Sequence, residues 1–423
     1  MLPLAVSYLF RKPPLLVSIS NNLKMFFPTR HKSCVILGIE TSCDDTGCAV
    51  MNNKGEILGE ALNSQTNITV EMGGVMPLLA KELHEKNIEN VVNKALEAAN
   101  MSVNDIDAVA VTTKPGILLS LSVGKNYGKK ICREYEKPFI PIHHMQAHTL
   151  TARIVQPIEF PFLTLLISGG HSLLAIAQSP VKYLLLGQSF NDAPGEALDK
   201  LARRLKLRFV PEFSNCSGGE SIERAARKGY PVVDYIVPPL LGYRDCNFSF
   251  SGMKQRATQH ILKMEEKHDI MGSTLIPDAY DLCASFLHTM TTHLCQRVQR
   301  AIKFAELQKL IPSDRRVLVV SGGVACNSYI RQGLEIVCRE LDYKLVVPPP
   351  KLCTDNGVMI AWNGVEKFRL GIDVISSDKL ESIDIEPKSP IGEDIRDQVA
   401  EANIKCKWIK LKELIDSNFT KPG

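Results

Sequence analysis

The chain has 423 residues, of which 45% are hydrophobic and 23% are charged. That balance is typical of a globular protein and excludes wholesale disorder and collagen-like repeats, and the length favours two or more domains. The formal net charge of +4 originates in residues 1–33. The remaining chain is close to neutral, so composition does not indicate a generally basic nucleic-acid-binding protein.

Residues 1–33 have the composition of an organelle transit peptide, with serines, no acidic residue and five basic ones, which are Arg11, Lys12, Lys24, Arg30 and Lys32. In a secretory signal the basic residues would precede the apolar core, whereas here they follow it. A disordered tail is the alternative on composition. We expect import into the mitochondrial matrix, where reduced thiols fit twelve cysteines that form no CxxC pair. No later segment approaches the roughly 20 apolar residues that cross a bilayer.

The first half of the body alternates strands and helices. Apolar residues recur at helical spacing between Ile88 and Ala99, which predicts an amphipathic helix after three strands. A further helix carries His144 and His148. The predicted elements in chain order are strands at 35–40, 47–51 and 57–63, the amphipathic helix, a strand at 107–111, a helix at 118–133 and a strand at 139–141.

In the second half, the sequence predicts a similar alternation of strands and helices around a helical insertion. Strands at 162–167 and 172–177 are followed by mainly helical residues at 193–310, with loops at 209–219 and 229–250. Then come a strand at 317–320, a helix to about 340, a strand at 344–347, a helix at 357–368 and a weakly patterned tail. The predicted domains are a transit peptide at 1–33, an N-terminal lobe at 34–150, a C-terminal lobe at 151–370 with an insertion at about 193–310, and a tail at 371–423.

Two glycine turns point to a duplicated α/β architecture. Ile-Ser-Gly-Gly at 167–170 is echoed by Val-Ser-Gly-Gly at 320–323. Glycines directly after a strand let backbone N–H groups approach an anion, usually phosphate. A single Gly-Gly is most often a plain turn, but two such turns and an acid-rich turn at 40–45 indicate a ligand site. The absence of GxxxxGK[ST] argues against a P-loop NTPase.

His144 and His148 are four residues apart on a predicted helix, so both imidazoles can reach one metal ion. A structural pair of histidines is the alternative. Asp355 is the candidate third ligand, although it could instead cap the helix that follows. Such a set leaves coordination positions open for a substrate. A zincin protease is excluded because Met145 stands where that motif requires a glutamate base.

Charged residues beyond the first glycine turn offer further candidates. Asp199 lies in the first turns of a predicted helix, where it either matches the helix dipole or contacts a substrate hydroxyl or amine. A basic run follows without an intervening acid. Such a run is usually a solvated face, but it is also the best patch here for a phosphate backbone. Phe248–Lys254 places aromatic residues, hydroxyls and a lysine at a helix start, which suits N-capping or contact with RNA. The expected tRNA contacts are Lys200, Arg203, Arg204 and Lys254.

Taken in order, several segments resemble one family. They are 38–46, 143–148, 167–171, 195–196, 248–252 and 322–327, and together they resemble the tRNA N6-adenosine threonylcarbamoyltransferases, the TsaD family. The resemblance runs from about 35 to 370, and residues 1–33 point to the mitochondrial branch. It implies an actin-like, sugar-kinase type fold of two lobes with a ligand cleft between them. It also implies transfer of threonylcarbamoyl from threonylcarbamoyl-AMP to N6 of adenosine 37 in mitochondrial tRNAs that read codons starting with adenine.

Carried over by motif, the resemblance assigns His144, His148 and Asp355 as ligands of one divalent metal ion per subunit, zinc or iron. No catalytic residue is assigned beyond these ligands. The residues expected to bind threonylcarbamoyl-adenylate are Leu166, Ile167, Ser168, Gly169, Gly170, Asp199, Gly219, Glu223 and Asn327. The family also implies a homodimer and a separate synthase that supplies the adenylate.

Three departures from the family pattern affect these assignments. Leu166 replaces a metal-binding tyrosine of archaeal members, so no fourth protein ligand is expected. The loop at 209–218 is longer than usual, which leaves Gly218 or Gly219 as the ligand glycine. Pro77-Leu78 replaces the Pro-Glu of bacterial relatives. Two alternatives remain: a nucleotide-dependent module that binds tRNA or partners without chemistry, and a small-molecule kinase of the same fold.

Overall fold

Two mixed β-sheets organise the protein in a computed structural model that describes residues 34–72, 74–232 and 236–419. The predicted transit peptide lies outside the described residues. The first sheet contains β1 Val35–Glu40, β2 Asp45–Asn52, β3 Ile57–Ser64, β4 Ala108–Lys114 and β5 Phe139–His143, in the order β3-β2-β1-β4-β5. The second contains β6 Phe162–Ile167, β7 Ser172–Ala177, β8 Tyr183–Gln188, β9 Val317–Ser321, β10 Lys344–Val346 and β11 Glu393–Asp394, in the order β10-β9-β6-β7-β8-β11.

The two sheets repeat one topology. In the first, β1, β2 and β3 form an antiparallel meander, while β4 and β5 continue parallel to β1. In the second, β6, β7 and β8 form the meander, and β9 and β10 run parallel to β6. The central strands are buried along their length, as β6 is from end to end, which is why they are almost continuously apolar. The predicted two-lobed, duplicated actin-like α/β fold is confirmed.

Helices cover the sheets and fill the middle of the chain. They are α1 Thr66–Met72, α2 Pro77–Ala98, α3 Leu118–Glu134, α4 His144–Leu150, α5 Ala152–Val155, α6 Pro194–Arg204, α7 Gly218–Ala226, α8 Ser251–Lys267, α9 Ala279–Leu307, α10 Ser328–Glu340, α11 Pro350–Cys353, α12 Gly357–Leu370, α13 Arg396–Glu401 and α14 Lys412–Asn418. The core of the second lobe forms where α6 to α10 pack on β6 and its neighbours. No helix in the described part of the chain is long and apolar enough to cross a membrane.

Helix α12 belongs to the first lobe, which corrects the predicted C-terminal boundary at 370. Its apolar face packs on β1, β2 and β4. The approach is close because glycines stand at the contact: a Cβ on Gly38 would overlap the backbone of Ala361, and one on Gly47 would overlap Gly357. The chain therefore returns to the first sheet after β10. This return carries Asp355, just before α12, to the vicinity of α4, the helix that contains His144 and His148.

The segment predicted as a weakly patterned tail from 371 packs against both lobes. Ile375 bridges to Phe139 beside the first sheet, and β11 pairs with β8 in the second. Val399 and Leu414 are buried in the second lobe's core. Since few of these residues alternate or repeat, their packing depends on tertiary partners that a local pattern does not show.

Candidate metal centre and ligand site

The two predicted histidine ligands lie at the edge of the first sheet where its parallel strands end. His144 begins α4 directly after β5, and His148 follows one turn later. Their Nε2 atoms are 3.2 Å apart. Asp355 brings Oδ1 to 3.0 Å from the Nε2 of His148 and 3.5 Å from that of His144. The three predicted ligands are thus brought together.

Asp355 reaches the histidines because a neighbour caps α12 in its place. The Oδ1 atom of Asn356 accepts a hydrogen bond from the Met359 N–H at 2.9 Å, and Asn356 Nδ2 donates to Thr354 at 2.6 Å. The N-cap role considered for Asp355 is therefore wrong. Its carboxylate is left to face the imidazoles.

A buried carboxylate holds the other side of His144. Glu40, at the end of β1, is completely buried, and its Oε2 lies 3.2 Å from His144 Nδ1. Thr112 donates to the same oxygen at 2.6 Å, and the Ser42 hydroxyl lies 3.1 Å from His144 Nδ1. A carboxylate behind a ligating histidine fixes its tautomer and ring orientation. The sequence placed Glu40 in an acid-rich turn but gave it no role.

The charges of the cluster favour a bound cation. Burial by itself would lower the pKa of His144, but Asp355 and Glu40 raise it to about 9. Burial by itself would raise the pKa of Asp355, but His144 and His148 hold it well below its usual range. The three donor atoms lie within 4.8 Å of one another. Two imidazoles and one carboxylate form a donor set that suits zinc or iron, so these residues fit the expected metal.

His171 connects the histidine cluster to the second lobe. Its ring centroid lies 6.5 Å from that of His144, and it directly follows the first glycine turn. Burial, followed by the charge of His144, lowers the pKa of His171 to about 4, so the ring stays neutral. His171 stood inside a family motif but was not assigned a function from the sequence.

The two glycine turns lie side by side because β6 and β9 are parallel, with Leu166 opposite Ser321. Gly322 has a φ of 98°, and a Cβ there would overlap the carbonyl of Ile167. A Cβ on Gly169, Gly170 or Gly323 would meet nothing within 4 Å. These glycines border open space, as a ligand-binding backbone requires.

The predicted ligand residues 166–170 divide into side-chain and backbone contributors. Leu166 and Ile167 are buried in the core, so they offer a ligand only their backbone. Ser168 anchors the turn, since its carbonyl accepts the Gly195 N–H at 3.2 Å and its hydroxyl accepts the His171 N–H at 3.1 Å. The first turn of α6 therefore lies against the glycine turn.

The side chain of Asp199, a residue of α6, lies against the N-terminus of α7. A Cβ on Gly218 would overlap its carboxylate, whereas one on Gly219 would only touch Leu198. Burial raises the pKa of Asp199, and the backbone N–H groups of Gly219 and Gly218 oppose that rise. Both candidate glycines thus adjoin Asp199. The lack of space for a Cβ beside Asp199 is sufficient to explain why residue 218 is a glycine.

Glu223 and Asn327 meet at the N-terminus of α10. Glu223 Oε1 accepts from the Ser328 backbone N–H at 3.1 Å and from its hydroxyl. The Oδ1 atom of Asn327 caps the helix by accepting the Ile330 N–H at 3.0 Å. Its buried Nδ2 has no hydrogen-bond partner among the described residues. An unmade buried hydrogen bond costs about 1–3 kcal/mol, so this amide is available for a ligand acceptor.

Comparison with known proteins identifies the family. The TsaD family model, described as tRNA N6-adenosine threonylcarbamoyltransferase, matches residues 56–362. The chain is 47% identical over 382 residues to the mitochondrial tRNA N6-adenosine threonylcarbamoyltransferase of Homo sapiens, covering 90% of this chain and 91% of that protein. The chain belongs to this family.

More distant likenesses extend to bacteria. The tRNA N6-adenosine threonylcarbamoyltransferase of Rhizobium johnstonii is 36% identical over 361 residues, covering 84% of this chain and 93% of that protein. Among solved structures, component A of (R)-2-hydroxyglutaryl-CoA dehydratase from Acidaminococcus fermentans matches with a TM-score of 0.47 and 16% identity, covering 80% of this chain and 100% of that chain. The threonylcarbamoyltransferase family membership rests on the sequence matches.

Three of the four residues predicted to contact tRNA are engaged in ion pairs. Lys200 lies 2.5 Å from Glu196 and 3.4 Å from Asp192, and Lys254 pairs with the same Asp192. Arg204 holds Glu265 with both terminal nitrogens, at 2.9 and 2.5 Å. Arg203 is exposed. Tertiary partners thus neutralise much of the predicted patch, so its binding to tRNA stays a prediction.

Replacing Glu40 with glutamine is expected to weaken zinc binding by about 10–100-fold, the usual cost of losing a carboxylate behind a ligating histidine. The neutral amide holds His144 less firmly in the tautomer that presents Nε2. Competition with a coloured zinc chelator measures the affinity. Glu89→Gln, an exposed position on α2, is the charge-matched control. Equal affinity in Glu40→Gln and the wild type would show that Glu40 does not position His144.

Proposed function

We propose that this threonylcarbamoyltransferase moves the threonylcarbamoyl group from threonylcarbamoyl-AMP to N6 of adenosine 37 in mitochondrial tRNAs that read codons starting with adenine, and releases AMP. One observation carries the proposal. The histidine–aspartate cluster and the paired glycine turns, built from different lobes, are contiguous through His171. A site for an activated carbonyl thereby adjoins a site for a phosphate.

The adenylate is proposed to lie along the second lobe. The backbone N–H groups of the turns at 168–170 and 322–323 would receive its phosphate. Asp199 and Glu223 would accept hydrogen bonds from ribose hydroxyls, and Asn327 Nδ2 would donate to a polar atom of the nucleotide. Gly169, Gly170 and Gly323 border open space, and Asn327 Nδ2 has no hydrogen-bond partner among the described residues.

The reaction forms a bond from N6 of the adenosine to the carbamoyl carbon and breaks the bond from that carbon to the phosphate oxygen. AMP leaves with the electron pair, and N6 loses a proton. His144, His148 and Asp355 would hold a divalent ion that polarises the carbamoyl carbonyl as a Lewis acid. Glu40 keeps His144 oriented for this task, and His171 lies between the histidine cluster and the first glycine turn.

Finer features belong to the same proposal. The donor set supports one zinc or iron ion per subunit. The human relative is named as mitochondrial, and we place the enzyme in the matrix, as a homodimer that receives its adenylate from a separate synthase. Elemental analysis and the mass of the purified assembly test the metal and the dimer together.

The proposed activity is tested by incubating the purified chain with threonylcarbamoyl-AMP and an unmodified tRNA that reads codons starting with adenine. Mass spectrometry of digested tRNA is expected to show threonylcarbamoyladenosine at position 37 only, and AMP in equal amount. tRNA binding without product, while a control enzyme works, would support the non-catalytic module instead. Phosphate transfer from ATP to a small hydroxyl compound would support the kinase.

A further inference from the structure

An extended segment near the C-terminus, residues 404–411, is fixed along the last turns of α9. The side chain of Gln299, which is buried, forms two hydrogen bonds with the backbone of this segment. The side-chain amide donates to the Lys407 carbonyl at 2.9 Å, and its oxygen accepts the Ile409 N–H at 3.2 Å. The segment therefore has a defined course although it forms no helix or strand there.

The side chains of this segment divide between two faces. Trp408 lies under the Arg300 guanidinium, 4.9 Å from its ring centroid. Ile404 and Ile409 pack against the core, and Leu411 is buried in it. The lysines that alternate with these residues are exposed, namely Lys405, Lys407 and Lys410. An extended chain advances roughly 3.3 Å per residue, so Lys405 and Lys407 are about 7 Å apart along the segment and Lys410 follows about 10 Å further on, which gives a row of three ammonium groups.

Further cations border this row. The Arg244 side chain donates to Asn403 Oδ1 at 2.6 Å, which places it at the start of the segment. Lys303 on α9 lies close enough to Cys406 to lower its thiol pKa, although burial, the largest influence, raises it. We refer to Arg244, Lys303, Lys405, Lys407 and Lys410 as the C-terminal basic surface.

The C-terminal basic surface differs from the predicted tRNA patch in its counter-charges. Within the described ranges, no carboxylate forms an ion pair with any of its five residues. Lys200, Arg204 and Lys254 each hold one or two acids. Unpaired cations in a row attract a polyanion and release its counterions on binding.

We propose that the C-terminal basic surface binds the phosphate backbone of the tRNA outside the anticodon loop. The identity of the polyanion rests on the proposed function. A lipid surface is the weaker match, because the apolar side of the segment is packed on α9 and cannot add buried apolar area to the electrostatic attraction of a membrane. Lysines act as point charges and contact phosphates without selecting a base, so the surface would hold the tRNA body while adenosine 37 enters the site formed by the metal ligands and the glycine turns.

The test compares two RNAs with the full chain. In the triple variant Lys405→Gln, Lys407→Gln, Lys410→Gln, full-length tRNA is expected to bind about tenfold more weakly at low salt. The slope of log affinity against log salt should fall by about 2, close to 0.7–0.9 for each lost phosphate contact. Binding and modification of an isolated anticodon stem-loop should stay at the wild-type level. The control variant removes three exposed lysines elsewhere, namely Lys86, Lys94 and Lys130, and should retain the wild-type slope.

Three outcomes would overturn the inference, and a fourth would separate it from the proposed reaction. An unchanged salt slope for full-length tRNA would show that the lysines do not contact phosphate, and an equal loss with the stem-loop would place the contact at the anticodon instead. A slope that falls equally in the control variant would show a general charge effect. If the wild type modifies no RNA yet the slope falls only in the test variant, the surface binds tRNA but the proposed reaction is wrong.

Discussion

Asp355→Ala is expected to lower the rate of tRNA modification by about 10³-fold, at the upper end for removing one preorganised electrostatic group from an active site. The Asp355 carboxylate is the only acidic member of the described metal-ligand cluster. Without it, the imidazoles of His144 and His148 offer two neutral nitrogens, and the bound metal should fall from about one per subunit to near zero. Single-turnover assays and elemental analysis of the same preparation measure both effects.

Asp384→Ala is the matched control, because this exposed carboxylate makes a 3.8 Å ion pair with Lys125 and accepts a local hydrogen bond from the Ile385 N–H at 2.8 Å, far from the metal ligands in the sequence. The Asp355 variant should still fold and bind tRNA, since its side chain neither caps α12 nor joins a core cluster. Turnover at the wild-type rate in the Asp355 variant would remove the metal site from the mechanism. Such a result would favour a binding module that needs no metal.

Gly322→Ala is expected to destabilise the second lobe by about 2–4 kcal/mol, from a strained backbone together with forced displacement of packed atoms. Gly322 has a φ of 98°, and the added Cβ would overlap the carbonyl of Ile167. The two glycine turns must then separate. A displacement of about 1 Å in a positioning element can cost about 10²-fold in activity, so weaker binding of a non-hydrolysable adenylate should accompany the loss of stability.

Gly323→Ala supplies the control for stability, because a Cβ at that position meets no protein atom within 4 Å and its φ is not positive; its adenylate affinity is expected to fall as well, since the Cβ enters the space proposed for the phosphate. Urea unfolding and calorimetric titration with the adenylate analogue separate stability from binding. Equal stability in the two alanine variants would contradict the contact between the turns. A stability loss with unchanged adenylate affinity would show that the nucleotide does not use this turn.

The duplicated fold could be predicted because its markers are local. Each lobe contains a buried strand that turns back into an antiparallel neighbour, β1 into β2 and β6 into β7. The glycine turns at 167–170 and 320–323 both belong to the second sheet, so their likeness marks the ligand side of that lobe rather than the duplication. Strand β8 was missed. Tyr183–Leu186 is an uninterrupted apolar run, which does not distinguish a strand from a buried helix without its partner. The position of α12 was also missed, since its contact with Gly38 joins distant parts of the chain.

The candidate histidine ligands could be predicted for a similar reason, because the four-residue spacing of His144 and His148 places both imidazoles on one face of a helix. Glu40 lies 104 residues before His144, so only the folded chain reveals their contact. The basic run after Asp199 is the reverse case, because only some of the acids that neutralise it are visible in the local sequence. Glu196 lies four residues before Lys200, but Glu265 approaches Arg204 from 61 residues away, and a charge pattern along the chain cannot show such a partner.

The central claim is that one metal pocket, built by two histidines and Asp355, adjoins an adenylate site on the glycine turns. Anomalous X-ray diffraction from crystals grown with zinc and a non-hydrolysable threonylcarbamoyl-adenylate tests it most directly. We expect one anomalous peak about 2.0–2.2 Å from both Nε2 atoms and the Asp355 carboxylate, with the phosphate of the analogue against Gly169, Gly170 and Gly323. A metal peak away from these ligands, or an adenylate bound elsewhere, would contradict the account.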